Sequence, residues 1–275
     1  MAVKLDVAHA VVLGPGEGEA LSDEREYLIK VALPELSLLE SAFPQGEAVS
    51  PHVHELHADS FYVLEGELEF RLADETVHVP AGSYVLAPPG VVHSFSVASP
   101  DGARWLNLHA PDGGFAESRR ARRDGRERRV PLDSYGPPPD GPGRPASDAV
   151  VRLPGEGERL ARGNRVAYVK AALPQLAVLE FELDGLFVGP DLHTHDDHAD
   201  SFYVLEGEVE LTVEGTTITA GPRSFVAAPP GVEHTFGKPG TGRARFLNVH
   251  APEAGFVEYL RRTSDPRAAD RLRAG

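Results

Sequence analysis

The chain contains no cysteine in 275 residues, which excludes disulfide staples, thiolate nucleophiles and sulfur-ligated metals, and leaves histidine and carboxylate as candidate metal ligands. Positive charge is also scarce: 27 basic residues against 42 acidic ones give a net charge of −15, which argues against a broad nucleic-acid face or an anionic-membrane surface. No apolar run approaches the roughly 20 residues of a membrane span, and the stretch from Met1 to His9 lacks the unbroken apolar core of a signal peptide. These absences lead us to expect a soluble, cytoplasmic protein whose partners are small molecules. Nucleotide chemistry and serine hydrolysis are poor fits too, because no glycine-rich phosphate loop stands between a strand and a helix and no Gly-x-Ser-x-Gly occurs. The glycines that follow Leu13 alternate with Glu17 and Glu19, which would repel phosphate.

What is present is a repeat. The eleven residues from His57 to Glu67 return unchanged from His198 to Glu208. Pro15–Glu19 returns as Pro154–Glu158, and His109-Ala-Pro-x-x-Gly-Phe115 as His250-Ala-Pro-x-x-Gly-Phe256. The period implies two copies of one folded unit, expected at 1–118 and 148–275, with residues 119–147 as an Arg-rich and then Pro/Gly-rich linker. The arginines from Arg119 to Arg129 read as a solvated helix end.

Within each copy, short β-branched and aromatic runs alternate with Gly and Pro, as in an all-β barrel or sandwich. Strands are predicted over 27–31, 37–42, 60–64, 68–72, 84–87 and 104–108. Leu68, Phe70 and Leu72 face inward while Glu67, Glu69 and Arg71 face out. Gly66 and Gly207 are expected to form tight hairpin turns between antiparallel neighbours, and Pro88-Pro89-Gly90 and Pro229-Pro230-Gly231 to turn another corner. Each copy is expected to close with a short helix, with an apolar stripe at Phe256, Tyr259 and Leu260 that the first copy loses, having Phe115, Ser118 and Arg119 there.

Residues two apart on a strand share a face at about 6.6 Å, so His52 with His54, and His193 with His195, can turn two imidazoles toward one ion. Asp59 or Asp200 can join from the next strand, and His93 or His234 from beyond the Pro-Pro-Gly corner. Three nitrogens and one carboxylate suit Fe, Mn, Ni, Cu or Zn better than Mg or Ca. His57 and His198 are alternative ligands. Tyr62, Asn107, His109, Tyr203, Asn248 and His250 are candidates for the pocket or for the layer behind the ligands.

These motifs resemble those of the cupin superfamily of double-stranded β-helix (jelly-roll) barrels, and the duplication resembles a bicupin. The first family motif is matched by Gly46, His52, His54, Asp59 and Gly66, and by His193, His195, Asp200 and Gly207. The second is matched by Gly82, Pro88, Gly90 and His93, and by Pro229, Gly231 and His234. Aspartate replaces the family glutamate, which shortens the reach by about 1.5 Å. Three explanations stay open: a closer strand, a bridging water, or substitution by His57 and His198. The resemblance implies tandem jelly-roll barrels with up to two divalent transition-metal ions per chain. It further implies a metal-dependent enzyme, in the first place a quercetinase-like dioxygenase. An oxalate-type decarboxylase or isomerase and a non-catalytic sugar- or small-molecule-binding module are the alternatives, and a homodimer is a further expectation.

Overall fold

The computed structural model describes residues 9–21, 26–129, 133 and 144–264. The expected stiff connector lies outside them except at Arg144 and Pro145. The strands fall into two compact units, one spanning Gly18–Glu156, the other combining the residues up to Glu17 with those from Gly157 onward.

Each unit is an antiparallel jelly roll. In the first, a seven-stranded sheet runs in the order Val150–Arg152, Tyr84–Ala87, Ala58–Glu65, Ala103–Ala110, Ser37–Phe43, Glu26–Ala32, Glu19–Leu21. It faces a four-stranded sheet ordered Ala48–His52, His93–Val97, Glu67–Leu72, Glu75–Pro80. Phe61, Phe70, Phe95, Trp105 and Phe43 fill the space between them, in tilted and edge-on contacts with ring centroids 4.7–5.3 Å apart. The second unit repeats the large sheet as Val11–Leu13, Phe225–Ala228, Ala199–Glu206, Arg243–Ala251, Leu176–Asp184, Arg165–Leu173, Glu158–Arg162. Its small sheet has three strands, Thr216–Ala220, Val209–Val213 and His234–Gly237. Two isolated bridges, Phe187 with Lys238 and His193 with His234, stand where the fourth strand would be.

The sequence-based expectation needs three corrections. First, Val11–Leu13 and Val150–Arg152, which occupy equivalent places in the repeat, are exchanged: the former pairs with residues 225–227 and the latter with 84–86. Boundaries drawn at 118 and 148 by repeat length could not show this, because sequence order does not reveal which exposed sheet edge a short apolar strand will cover.

Second, Gly66 and Gly207 are not hairpin turns. Ala58–Glu65 pairs only within the large sheet and Glu67–Leu72 only within the small one, so each glycine is the corner where the chain changes sheet. Gly66 has φ +76°, and a Cβ there would strike the Gly102 carbonyl oxygen and lie 2.6 Å from Ser99 Oγ.

Third, both copies close with the expected short helix, nine residues each, α1 at Phe115–Arg123 and α2 at Phe256–Ser264, but the stripe of α2 is not the expected one. Ser118 and Arg119 are only half-buried, as expected of the lost stripe, and α1 buries Phe115, Ala116 and Ala121 instead. In α2 the buried positions are Val257 and Leu260, while Tyr259 is exposed. The arginines of the basic run are paired, Arg120 and Arg123 with Glu19 and Arg126 with Glu117. No helix among the described residues is long and apolar enough to cross a membrane.

Candidate metal centre

The site forms where histidines of the small sheet and its edge meet an aspartate of the large sheet, Asp59 in one unit and Asp200 in the other. His52 ends its strand in register with His93, and His193 and His234 keep the same pairing through an isolated bridge. His54 and His195 lie beyond regular strand structure, yet their rings stay 4.9 and 4.8 Å from those of His52 and His193.

Main-chain carbonyls orient the imidazoles. The Nδ1 atoms of His52, His93, His193 and His234 each lie 2.8–3.0 Å from the carbonyl oxygen two residues earlier. A carbonyl can only accept, so each Nδ1 carries a proton, and in the neutral ring each Nε2 presents a lone pair. His54 Nδ1 is held in the same way, 3.2 Å from the carbonyl oxygen of Asp133.

Asp59 reaches this cluster despite its short side chain. Its Oδ2 lies 3.2 Å from His93 Nε2 and 3.4 Å from His54 Nε2, while Asn107 Nδ2 donates to its Oδ1 at 2.6 Å. One ligand atom from each of His52, His54, Asp59 and His93 falls within 4.8 Å of the others, a set that can hold a metal ion. In the second unit the corresponding group is His193, His195 and His234. There Asp200 lies 3.2 Å from His234 Nε2 and is gripped by Asn248, outside that group.

Burial and nearby charge set the protonation of these groups. Burial, reinforced by His93, pushes His52 down to about 4. Burial would lower His54 too, but the hydrogen bond and charge of Asp59 outweigh it and raise His54 above its ordinary value. Burial opposes ionisation of Asp59, yet His109, His54 and His93 hold it well below the usual carboxylate range.

Asn107, His109, Asn248 and His250 stand behind the carboxylates. His109 Nε2 is 3.1 Å from Asn107 Oδ1, and His250 Nε2 is 3.1 Å from Asn248 Oδ1. Phe115 of α1 stacks on His109 at 3.9 Å and Phe256 of α2 on His250 at 3.8 Å, so each helix presses one imidazole into place. His57 does not join His52 and His93; with His54 and His109 it forms a separate group. Tyr62 and Tyr203 do not line the cavities. They sit three residues after Asp59 and Asp200, and the period of two turns them to the other face of the strand, where they are buried.

A cavity of about 710 Å³ opens onto the first cluster, walled by Tyr27, Phe43, Phe61, Phe95, Trp105 and Phe115, with Arg119 on its lining. The second cavity, about 830 Å³, is lined by Phe181, Phe187, Phe236 and Phe256 and carries Arg162 and Arg165. Sequence reasoning missed Asp133 and Arg119. Asp133 accepts from the backbone N–H groups of Leu56 and His57 at 2.8 and 3.1 Å, and lies 2.7 Å from His57 Nδ1. No sequence signal marks it, because it falls outside the repeated part of the chain.

Comparison with known proteins identifies the family and the fold. Residues 39–109 and 183–250 match the family described as Cupin domain. The chain is 25% identical to quercetin 2,3-dioxygenase of Bacillus subtilis, over 93% of its own length and 86% of the relative's. Among solved structures, a single-site variant of Bacillus subtilis oxalate decarboxylase superposes with a TM-score of 0.60 at 15% identity, covering 91% of this chain and 79% of that one. A further structure of that decarboxylase, described for its Mn(II) centres, gives a TM-score of 0.57 at 16% identity over the same shares. At these identities the structural likeness speaks for the fold.

Proposed function

Because the chain belongs to the cupin superfamily as a two-barrel member, we propose that it is a metal-dependent oxidoreductase of the dioxygenase type that acts on an oxygen-rich small molecule. The observation that carries this reading is the orientation of the first cluster. Main-chain oxygens hold the Nδ1 protons of His52, His54 and His93, and the Nε2 atoms turn toward Asp59 at the inner end of an aromatic cavity.

The donor set fits a divalent transition ion. His93 Nε2 lies 3.2 Å from Asp59 Oδ2, and His234 Nε2 lies 3.2 Å from Asp200 Oδ2. Each nitrogen and carboxylate oxygen face one another across a gap that a proton fills in the metal-free protein and that a metal ion would take over. Burial would lower His234, but the hydrogen bond and charge of Asp200 raise it above its ordinary value. His195 Nε2 is buried without a hydrogen-bond partner, as an unfilled ligand position would be. His52, His54, Asp59 and His93 would hold the ion in the first barrel, and His193, His195 and His234 in the second, with Asp200 beside His234. A bound ion would supply Lewis acidity and open positions for adjacent substrate oxygens.

The remaining work falls to side chains. The aromatic walls suit a flat ring, and the likeness to an enzyme named for quercetin supports a substrate of that shape. Arg119, stacked 4.8 Å over both Tyr27 and Phe115, puts a cation beside the cavity for an anionic oxygen. Asn107 fixes Asp59 so that Oδ2 stays turned to the cluster.

Oxygen electrode measurements on metal-loaded protein with quercetin and related enediols or catechols test this. Oxygen should be consumed in step with substrate loss, and the His52→Ala/His193→Ala chain should be inert. Turnover that needs no oxygen would replace the reading with redox-neutral decarboxylation or isomerisation, and binding without turnover would replace it with a binding module.

A further inference from the structure

His57, His109, His198 and His250 have no place in the proposed ligand sets, yet all four are buried beside them. Their hydrogen bonds fix where their protons lie. His57 Nδ1 faces the Asp133 carboxylate at 2.7 Å, so Nδ1 is protonated and Nε2 is a lone pair. Asn107 uses its amide nitrogen on Asp59, which leaves its Oδ1 to accept from His109 Nε2 at 3.1 Å. His109 Nδ1 is therefore a lone pair as well. Those two lone pairs, His57 Nε2 and His109 Nδ1, confront each other at 2.8 Å with no proton between neutral rings. The His54 ring lies 4.0 Å from that of His57, and one nitrogen from each of His54, His57 and His109 falls within 4.8 Å of the others.

The second barrel keeps the equivalent histidines with different outer partners, but their nitrogens do not all come within 4.8 Å of one another. His198 Nδ1 is 2.8 Å from Asp197 Oδ1, and His250 Nε2 is 3.1 Å from Asn248 Oδ1. The nitrogens left over are His198 Nε2 and His250 Nδ1. Both, together with His195 Nε2, are buried without a hydrogen-bond partner. Ring spacings match the first barrel: 4.0 Å between His195 and His198, and 4.9 Å both between His198 and His250 and between His57 and His109.

We propose that the first barrel contains a second, inner cation position built from three imidazole nitrogens, of His54, His57 and His109. A neutral imidazole has one lone pair, so His54 can serve the inner or the outer position but not both at once. One ion in the first barrel thus has two alternative seats. The inner seat has three neutral nitrogens and no carboxylate, which favours Zn(II), Cu(II) or Ni(II), while the carboxylate of the outer set favours Mn(II) or Fe(II). The choice of seat would therefore follow the metal supplied. This inference rests on the proposed metal centre only for the sharing of His54.

The test uses the full chain with the second barrel silenced by His193→Ala, His195→Ala and His198→Ala, stripped of metal and titrated separately with Zn(II) and Mn(II). In that background, His52→Ala/His93→Ala removes the outer seat and His57→Ala/His109→Ala the inner. The outer-seat variant should lose Mn(II) but still bind one Zn(II) per chain. The inner-seat variant should keep Mn(II) and bind Zn(II) about tenfold or more weakly. If the outer-seat variant takes up no Zn(II) while the silenced parent and the inner-seat variant do, the inner seat is wrong and the proposed outer centre stands. If the inner-seat variant binds neither ion while the outer-seat variant binds both, the inner seat stands and the outer centre falls. Should the paired alanine changes unfold the barrel, the silenced parent itself decides. On adding Zn(II), the ¹⁵N resonances of His57 Nε2 and His109 Nδ1 should shift while His57 Nδ1 and His109 Nε2 keep their protons, and unmoved resonances would overturn the proposal.

Discussion

The two barrels share an identical eleven-residue stretch, but their sites are not the same. In the first, Asp133 pins the Glu55–His57 loop through three backbone N–H groups, holds His57, and lends its carbonyl oxygen to His54. In the second, the equivalent histidine lies 2.8 Å from its exposed neighbour Asp197, and no counterpart of Asp133 is seen among the described residues. Asp59 stands inside its metal-ligand group and Asp200 outside. Each cavity carries guanidinium from a different element, Arg119 on α1 in one and Arg165 on a strand in the other. Duplication copied the ligands. The surroundings, drawn from unrepeated sequence, set how tightly those ligands are organised.

The largest expected effect comes from His54→Ala, which should take metal content from about two ions per chain to about one by elemental analysis, because both seats of the first barrel need that imidazole. Loss of both ions would mean that the barrels are not independent. A direct comparison of carboxylates comes next: Asp59→Ala should cost first-barrel affinity about as much as removing a histidine. Asp200→Ala should cost only the roughly 10 to 100-fold typical of a group behind the ligands. Equal losses in metal titration would erase the distinction between the sites.

Asp133→Ala should weaken metal binding in the first barrel about tenfold and leave the second unchanged, since it frees the loop that carries His57 without removing a ligand. The smallest and most local effect is in the metal-free protein. His54 and His195 are equivalent in sequence but shift in opposite directions. Burial would lower His54, yet Asp59 raises it, whereas burial with His198 beside it lowers His195 to about 4. In an NMR pH titration His54 should remain protonated above pH 6.5 while His195 is already neutral near pH 5. The linked stabilities have opposite signs. The contribution of His54 is present below its unfolded pKa and is lost as pH rises through its raised folded value. Neutral His195 costs stability as pH falls from about 6.5 toward 4. Coincident titrations would show that Asp59 does not face His54 in solution.

Much of this was legible in the residues. A repeat of eleven identical positions announced two copies of one unit, and strict alternation over Glu67–Leu72 showed which side chains face the core. The spacing of His52, His54, Asp59 and His93 marked a candidate ligand set, whose four side chains the fold does bring together, because residue type and separation along a strand are local properties. The same alternation, followed from Asp59 to Tyr62, would have placed that tyrosine on the far face.

Tertiary structure decided the rest. Whether Gly66 closes a hairpin or a corner depends on which sheet receives the next strand, and that is a long-range pairing which no short window contains. The exchange of Val11–Leu13 with Val150–Arg152 has the same origin: a short apolar strand satisfies its backbone groups on whichever edge lies within reach. Asp133 reaches the site from 74 positions beyond Asp59, and only the folded chain brings its carboxylate to His57. Local rules govern the direction a side chain takes from its own backbone. What it meets there, and so which nitrogen keeps its proton and which keeps its lone pair, depends on partners that folding supplies.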